Sequence, residues 1–126
     1  MDKEIKNAVI DVLKSIKPYI SGNRNEKCYL TAYQIAVLLL EDKKNKKYLI
    51  DKEYLTNIGG AGGGAGEGKY NSLSQRIATD LAKEPDTFDI AFLNTKGIHQ
   101  FSFIDEKGIL SEPSVESFSM FRLKND

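Results

Sequence analysis

The sequence predicts an α+β fold in which three helices are followed by a β-hairpin. Three observations lead to this class. Apolar residues recur every three to four positions in three segments, the spacing changes to strict alternation after Pro85, and a glycine run separates the second helical segment from the third. Because 126 residues suffice for one modest core, we treat residues 1–126 as a single domain, with a glycine-rich loop at 59–69 and a C-terminal extension at 104–126.

Composition excludes several classes of protein. The chain has 18 basic and 18 acidic residues and is 40% hydrophobic, which is typical of a folded domain. No apolar run approaches the roughly 18 residues needed to cross a bilayer, and the charged N-terminus is unlike a secretory signal. We therefore expect a cytoplasmic protein with no membrane partner. A single Cys28 and a single His99 predict neither an internal disulfide nor a metal site, and no cofactor is expected.

The first helix is predicted over residues 3–17. Its apolar positions fall within one stripe about 100° wide, as in a helix that packs one face on a core. Pro18 ends the helix because the residue before a proline is driven out of helical geometry. The stripe consists of Ile5, Val9, Val12, Leu13 and Ile16.

The second helix has a clear start. Thr31 and Gln34 have the spacing of a capping box, and Leu30 and Ile35 stand at the positions of a hydrophobic staple. Residues 35–40 are almost entirely apolar, so this helix should be the most buried of the three.

A lysine run is predicted to end the second helix and to form a solvated loop, with a phosphate-facing role as the alternative. Residues 48–50 and 54–58 are then either a short strand and a helical turn or ordered loop. The run comprises Lys43, Lys44, Lys46, Lys47 and Lys52.

Residues 59–68 contain seven of the ten glycines and are predicted to form a loop. Gly63, Gly68 and Lys69 match the phosphate loop of nucleotide hydrolases, but Tyr70 replaces the Ser or Thr that would hold magnesium. Nucleotide hydrolysis is therefore disfavoured. Two interpretations stay open, a flexible connector and an anion cradle in which glycine amides and Lys69 precede a helix start.

The third helix is predicted from Ser72, which forms a second capping-box pattern with Gln75. Leu73, Ile77 and Leu81 share one face and should pack inward. The opposite face has no carboxylate and carries Ser72, Gln75, Arg76, Thr79 and Lys83.

Strict alternation after Pro85 predicts a strand over 88–93, a turn at 94–97 and a second strand over 98–103. A four-residue loop would pair Phe88 with Phe103 and Phe92 with His99, so that the aromatic side chains share one face. A further turn is predicted at 105–108. For residues 115–123, the spacing of apolar residues suits a helix and a strand equally.

The segments LTAYQIAVLLL, YNSLSQRIATDLAK and FDIAFLNTKGIHQFSF, in that order, resemble a winged helix-turn-helix domain over roughly residues 28–103. The resemblance implies that the second helix supports the third, that the third presents its N-terminal polar face to the major groove, and that the hairpin forms a wing beside the DNA backbone. One departure is the insertion of roughly thirty residues between Leu40 and Asn71, where the family usually has a short turn.

The resemblance implies binding of nucleic acid, in particular duplex DNA. No enzymatic activity is expected, because no acidic pair is placed as an acid–base couple. The resemblance places Gln75, Arg76 and Thr79 toward bases and Ser72 and Lys83 toward phosphates. Lys96 at the wing tip and Lys69 beside the glycines complete the predicted binding residues. The alternative is a protein-interaction or dimerisation module of the same fold, motivated by zero net charge and by an apolar patch at Phe118, Met120 and Phe121.

Overall fold

The computed structural model describes residues 1–54, 56–59, 72–94, 102–111 and 117–124. Within these ranges the chain is α+β, with four helices and small antiparallel sheets. The elements in chain order are α1 (Lys3–Ser15), β1 (Tyr19–Ser21), β2 (Arg24–Glu26), β3 (Leu30–Thr31), α2 (Ala32–Glu41), α3 (Lys43–Asp51), α4 (Leu73–Ala82), β4 (Phe88–Asn94), β5 (Phe103–Ile104), β6 (Leu110–Ser111) and β7 (Ser117–Leu123).

Helix α1 follows its predicted pattern. Asp2 is the N-cap, and its Oδ1 accepts a hydrogen bond from the Ile5 amide at 3.0 Å. Ile5, Val9 and Leu13 are buried, so the predicted apolar stripe is confirmed. The helix ends at Ser15, three residues before Pro18.

Helix α2 begins with the predicted capping box. Thr31 Oγ1 accepts from the Gln34 amide at 3.1 Å, and Gln34 Oε1 accepts from the Thr31 amide at 2.8 Å. Ile35, Ala36 and Leu39 are fully buried, because α2 packs against α1, α4 and the sheet. The prediction of a capped, largely buried helix is confirmed.

The lysine run forms a helix, and the prediction of a solvated loop is wrong. Asp42 caps α3, since its Oδ1 accepts from the amides of Lys44 at 2.9 Å and Asn45 at 3.1 Å. Leu49 is fully buried and anchors the helix on the core. Residues 48–50 therefore belong to α3 and are not a strand.

Strand β7 lies in the centre of a three-stranded antiparallel sheet whose order is β3-β7-β4. Phe121 of β7 opposes Leu30 of β3 on one side and Ile90 of β4 on the other. Phe121 and Phe88 are the largest of the fully buried side chains. Within the segment for which helix and strand were both open, residues 117–123 are thus a strand.

The predicted hairpin register is wrong at Phe88 and Phe103. Phe88 opposes Leu123, whereas Phe103 belongs to a separate two-stranded sheet and opposes Ser111. The predicted partners at 98–101, including His99, lie outside the described residues. Alternation of apolar residues indicates which side chains of a strand face the core but does not indicate which strand it pairs with. Here β4 pairs with β7. The turn at 105–108 is confirmed, with the Gly108 amide donating to the Asp105 carbonyl at 3.0 Å.

Two further expectations are corrected. Phe118 and Phe121 are 6% and 0% exposed, and Met120 packs against the same core, so these residues are not a surface patch. An interface built on them would require the core to open. The sequence context of Cys28 favours a small buried thiol, but Cys28 is exposed.

Candidate nucleic-acid interface

Helix α4 is the element for which base contacts are predicted. It spans Leu73–Ala82, and the Ser72 Oγ accepts a hydrogen bond from the Gln75 amide at 3.2 Å. Leu73, Ile77 and Leu81 are buried, as predicted, and hold the helix on α2 and β4. The orientation of α4 on the core is therefore the one that the apolar spacing predicts.

The N-terminal end of α4 is closed by residues 57–59, which we call the strap. The Leu73 amide donates to the Asn57 carbonyl at 2.7 Å, and the Ser74 amide donates to the Ile58 carbonyl at 3.1 Å. Helix starts bind anions through amides that lack a partner in the helix. The amides of residues 73–75 all have acceptors and are therefore not free to bind an anion, while the glycine amides 60–68 and Lys69 of the alternative anion cradle lie outside the described residues.

Ser72 is only 2% exposed, and its Oγ lies 3.3 Å from the Oγ of Ser74, which is also buried. A side chain at this depth cannot reach a phosphate on the surface. The prediction that Ser72 contacts phosphate is therefore corrected: the residue caps α4 and packs under the strap.

Arg76 has two partners within the chain. Its Nε lies 3.2 Å from Asp80 Oδ2, and its guanidinium lies 4.7 Å from the centre of the Tyr54 ring. Burial raises the pKa of the Tyr54 hydroxyl, while the positive charge of Arg76 opposes this shift. Asp80 is one turn from Arg76, and because its side chain is only 12% exposed, it holds the guanidinium close to the helix surface.

The remaining predicted residues are placed differently from one another. Gln75 and Thr79 are partly buried on α4, and Lys83 is exposed at its C-cap, with no ion pair among the described residues. Lys69 and Lys96 lie outside the described residues, as does most of the glycine-rich loop.

Helix α3 presents a basic face. Lys43, Lys46 and Lys47 fall within about 100° of one another around the helix axis, and all are exposed. Ile50, which is 55% exposed, lies on the same face. Neither these lysines nor Lys44 forms an ion pair within the described part of the chain. The lysines were visible in the sequence, but only the helix capped by Asp42 aligns them.

Helix α3 is fixed to the start of α1 through one carboxylate. The Tyr48 hydroxyl donates to both oxygens of Asp2, at 3.2 Å each. Burial acts to raise the pKa of Asp2, but hydrogen bonds from the Ile5 amide and the Tyr48 hydroxyl outweigh it, and the pKa is lowered. Asp2 thereby caps α1 and positions the lysine face of α3 at the same time.

Other kinds of site find little support in the described residues. They contain no group of three metal-ligating side chains, and none of their helices combines the length and apolar character needed to cross a membrane. No protein-family model, curated protein or solved structure matches the chain.

Proposed function

We propose that the chain is a winged-helix protein that binds duplex DNA and is not an enzyme. The arrangement of α1, α2 and α4 on an antiparallel sheet supports the proposal, since α2 packs against both other helices. Strands β4 and β7 are adjacent and antiparallel, as the two strands of a wing are. Helix α3 and the strap occupy the connection between the second and third helices of this arrangement.

The observation that carries DNA binding is the lysine face of α3. Ammonium groups without carboxylate partners attract phosphates and release counterions from DNA when they bind. Neighbouring acidic residues, Glu41, Asp42 and Asp51, lie at the two ends of α3 and moderate the local charge. Because the whole chain is neutral, we expect weak binding that depends strongly on salt.

Fluorescence anisotropy with a short labelled duplex tests this function. The logarithm of the binding constant should fall linearly with the logarithm of salt concentration between about 50 and 200 mM. Replacing two lysines in the variant Lys43→Gln/Lys46→Gln should weaken binding and reduce the magnitude of the slope by about 2.

The matched control is Lys3→Gln/Lys17→Gln, which removes the same charge from exposed positions outside α3. This control should bind as the parent does. Absence of salt-dependent binding by the parent, or an equal loss in both double variants, would contradict the proposed function.

A second candidate function is homodimerisation, and one apolar surface favours it. A groove of about 230 Å³ is lined only by uncharged side chains. Beside it, Ile104 and Leu110 oppose each other on β5 and β6 and are 63% and 67% exposed. Two copies that meet at the groove would bring only uncharged lining side chains together. The lining comprises Ile16, Leu30, Gln34, Val37, Leu38, Phe103 and Ile104.

Light scattering separates this candidate from a monomer. If the apolar surface joins two copies, the parent has twice the monomer mass and Ile104→Glu/Leu110→Glu has the monomer mass. Ile20→Glu, at a position equally exposed on β1 (67%), is the control and should leave the mass unchanged. A monomeric parent removes this candidate.

A further inference from the structure

We propose that the chain holds duplex DNA by its sugar–phosphate backbone, through the lysine face of α3, and reads no bases through the first turn of α4. Binding is then independent of base sequence. The inference rests on the proposed function and specifies the kind of DNA that the same surface takes. Its basis is the contrast between α4, whose first amides, buried serines and arginine already have partners, and α3, whose lysines form no ion pair among the described residues.

Reading a base requires side chains that extend into the major groove, most often an arginine with both nitrogens on guanine. Arg76 is the only arginine on α4. Its guanidinium is held at Asp80 and stacked on Tyr54, so it must leave both partners before it can reach a base. The hydroxyls of Ser72 and Ser74 are buried and adjacent to each other and are not available for this purpose.

The strap closes the helix end itself. Two of its carbonyls accept hydrogen bonds from the first amides of α4, and Gly59 fits so closely that an added Cβ would lie 2.7 Å from Ser74 Oγ. In a helix-turn-helix protein, the N-terminal residues of this helix contact base edges. Here that end contacts the chain's own backbone, which removes the usual position for base recognition.

Helix α3 offers a different kind of contact. Lysine is a compact point charge on a flexible stem and lacks the planar fork with which arginine recognises a base or phosphate. Lys43 and Lys47 are one turn apart, about 6 Å along the helix axis, so their side chains can follow neighbouring phosphates on one strand. Contacts of this type position a protein on DNA but carry no sequence information.

A competition experiment tests the inference. The labelled duplex is bound at low salt and displaced by unlabelled duplexes of equal length with alternating A·T, alternating G·C and mixed sequence. All three should compete within about twofold, because a protein that reads bases loses roughly fivefold or more for each mismatched pair. Lys43→Gln/Lys46→Gln should weaken binding to all three equally, and Gln75→Ala/Thr79→Ala should leave it unchanged.

The possible failures differ from one another. If no duplex is retained at low salt, the proposed function fails. If one duplex competes more than tenfold better and Gln75→Ala/Thr79→Ala abolishes that preference, DNA binding stands but its sequence independence is overturned. If a single strand of the same length competes better than any duplex, the assignment to duplex DNA is overturned.

Discussion

Replacing Gly59 with alanine should destabilise the fold more than replacing any exposed glycine of similar backbone geometry. Gly59 has φ +110°, and an added Cβ would meet Ser74 Oγ at 2.7 Å and Ser72 Oγ at 2.8 Å. These hydroxyls cannot withdraw freely, because the Ser72 Oγ accepts the Gln75 amide and lies beside the Ser74 Oγ. The methyl group must therefore displace the strap or break the cap of α4.

The expected loss follows from two contributions. Holding alanine at this φ costs about 1–3 kcal/mol, and overpacking a filled site costs about 1–3 kcal/mol. Together they give an expected loss of about 2–6 kcal/mol for Gly59→Ala, a large part of the roughly 5–15 kcal/mol by which domains are stable. Gly22 has φ +57° and no atom within 4 Å of an added Cβ, so Gly22→Ala should cost only about 1–2 kcal/mol.

Urea unfolding followed by circular dichroism gives the loss in free energy of unfolding for both variants, provided that the slope of this free energy against urea concentration is unchanged. Because Ser74→Ala removes the atom nearest to the new methyl group, Gly59→Ala/Ser74→Ala should be about 1 kcal/mol more stable than additivity predicts. Equal losses at Gly59 and Gly22, or full additivity with Ser74→Ala, would show that the strap is not packed as described.

Three other changes test the cap, the core and the charge at the start of α1. Thr31→Ala removes the capping hydroxyl and should cost about 1 kcal/mol in urea unfolding, whereas Phe121→Ala, in the fully buried centre of the sheet, should cost about 3–5 kcal/mol. Losses of equal size would contradict this ranking. The lowered pKa of Asp2 means that its charge stabilises the fold above its unfolded pKa of about 4 and stops doing so as pH falls through the folded value. Asp2→Asn, which retains an N-cap, should therefore lower the midpoint of urea unfolding at pH 7, and this difference should shrink as the pH falls through the lowered pKa of Asp2; a difference that does not change with pH would contradict this assignment.

Local signals in the sequence were sufficient for most of the helices. The stripe of α1, the capping box of α2 and the inward leucines of α4 all lie where the spacing predicts. Each depends on residues three or four positions apart, so no knowledge of distant partners is required. The same kind of signal was missed at α3, because the lysines suggested solvent while Asp42, three residues before Asn45, marked a helix start.

Long-range partners could not be predicted in the same way. Phe88 and Ile90 have the correct alternation, but pairing with β7 requires a choice between two segments that both alternate. The contacts that shape the candidate site also join residues that are far apart in the sequence. Tyr54 meets Arg76 across the glycine-rich segment, and the carbonyls of Asn57 and Ile58 accept hydrogen bonds from α4 across the same segment. Neither contact leaves a periodic pattern in the sequence.

The position of β7 also constrains how the molecule assembles. Leu30 and Phe121 are neighbours in the sheet although about ninety residues separate them, so their pairing closes a long loop and is entropically expensive. Contacts this distant slow folding. Until β7 inserts, β3 and β4 have no strand between them, and the unfilled gap is open to a strand from another molecule. Rapid refolding from urea should accordingly be more prone to aggregation at high protein concentration than at low.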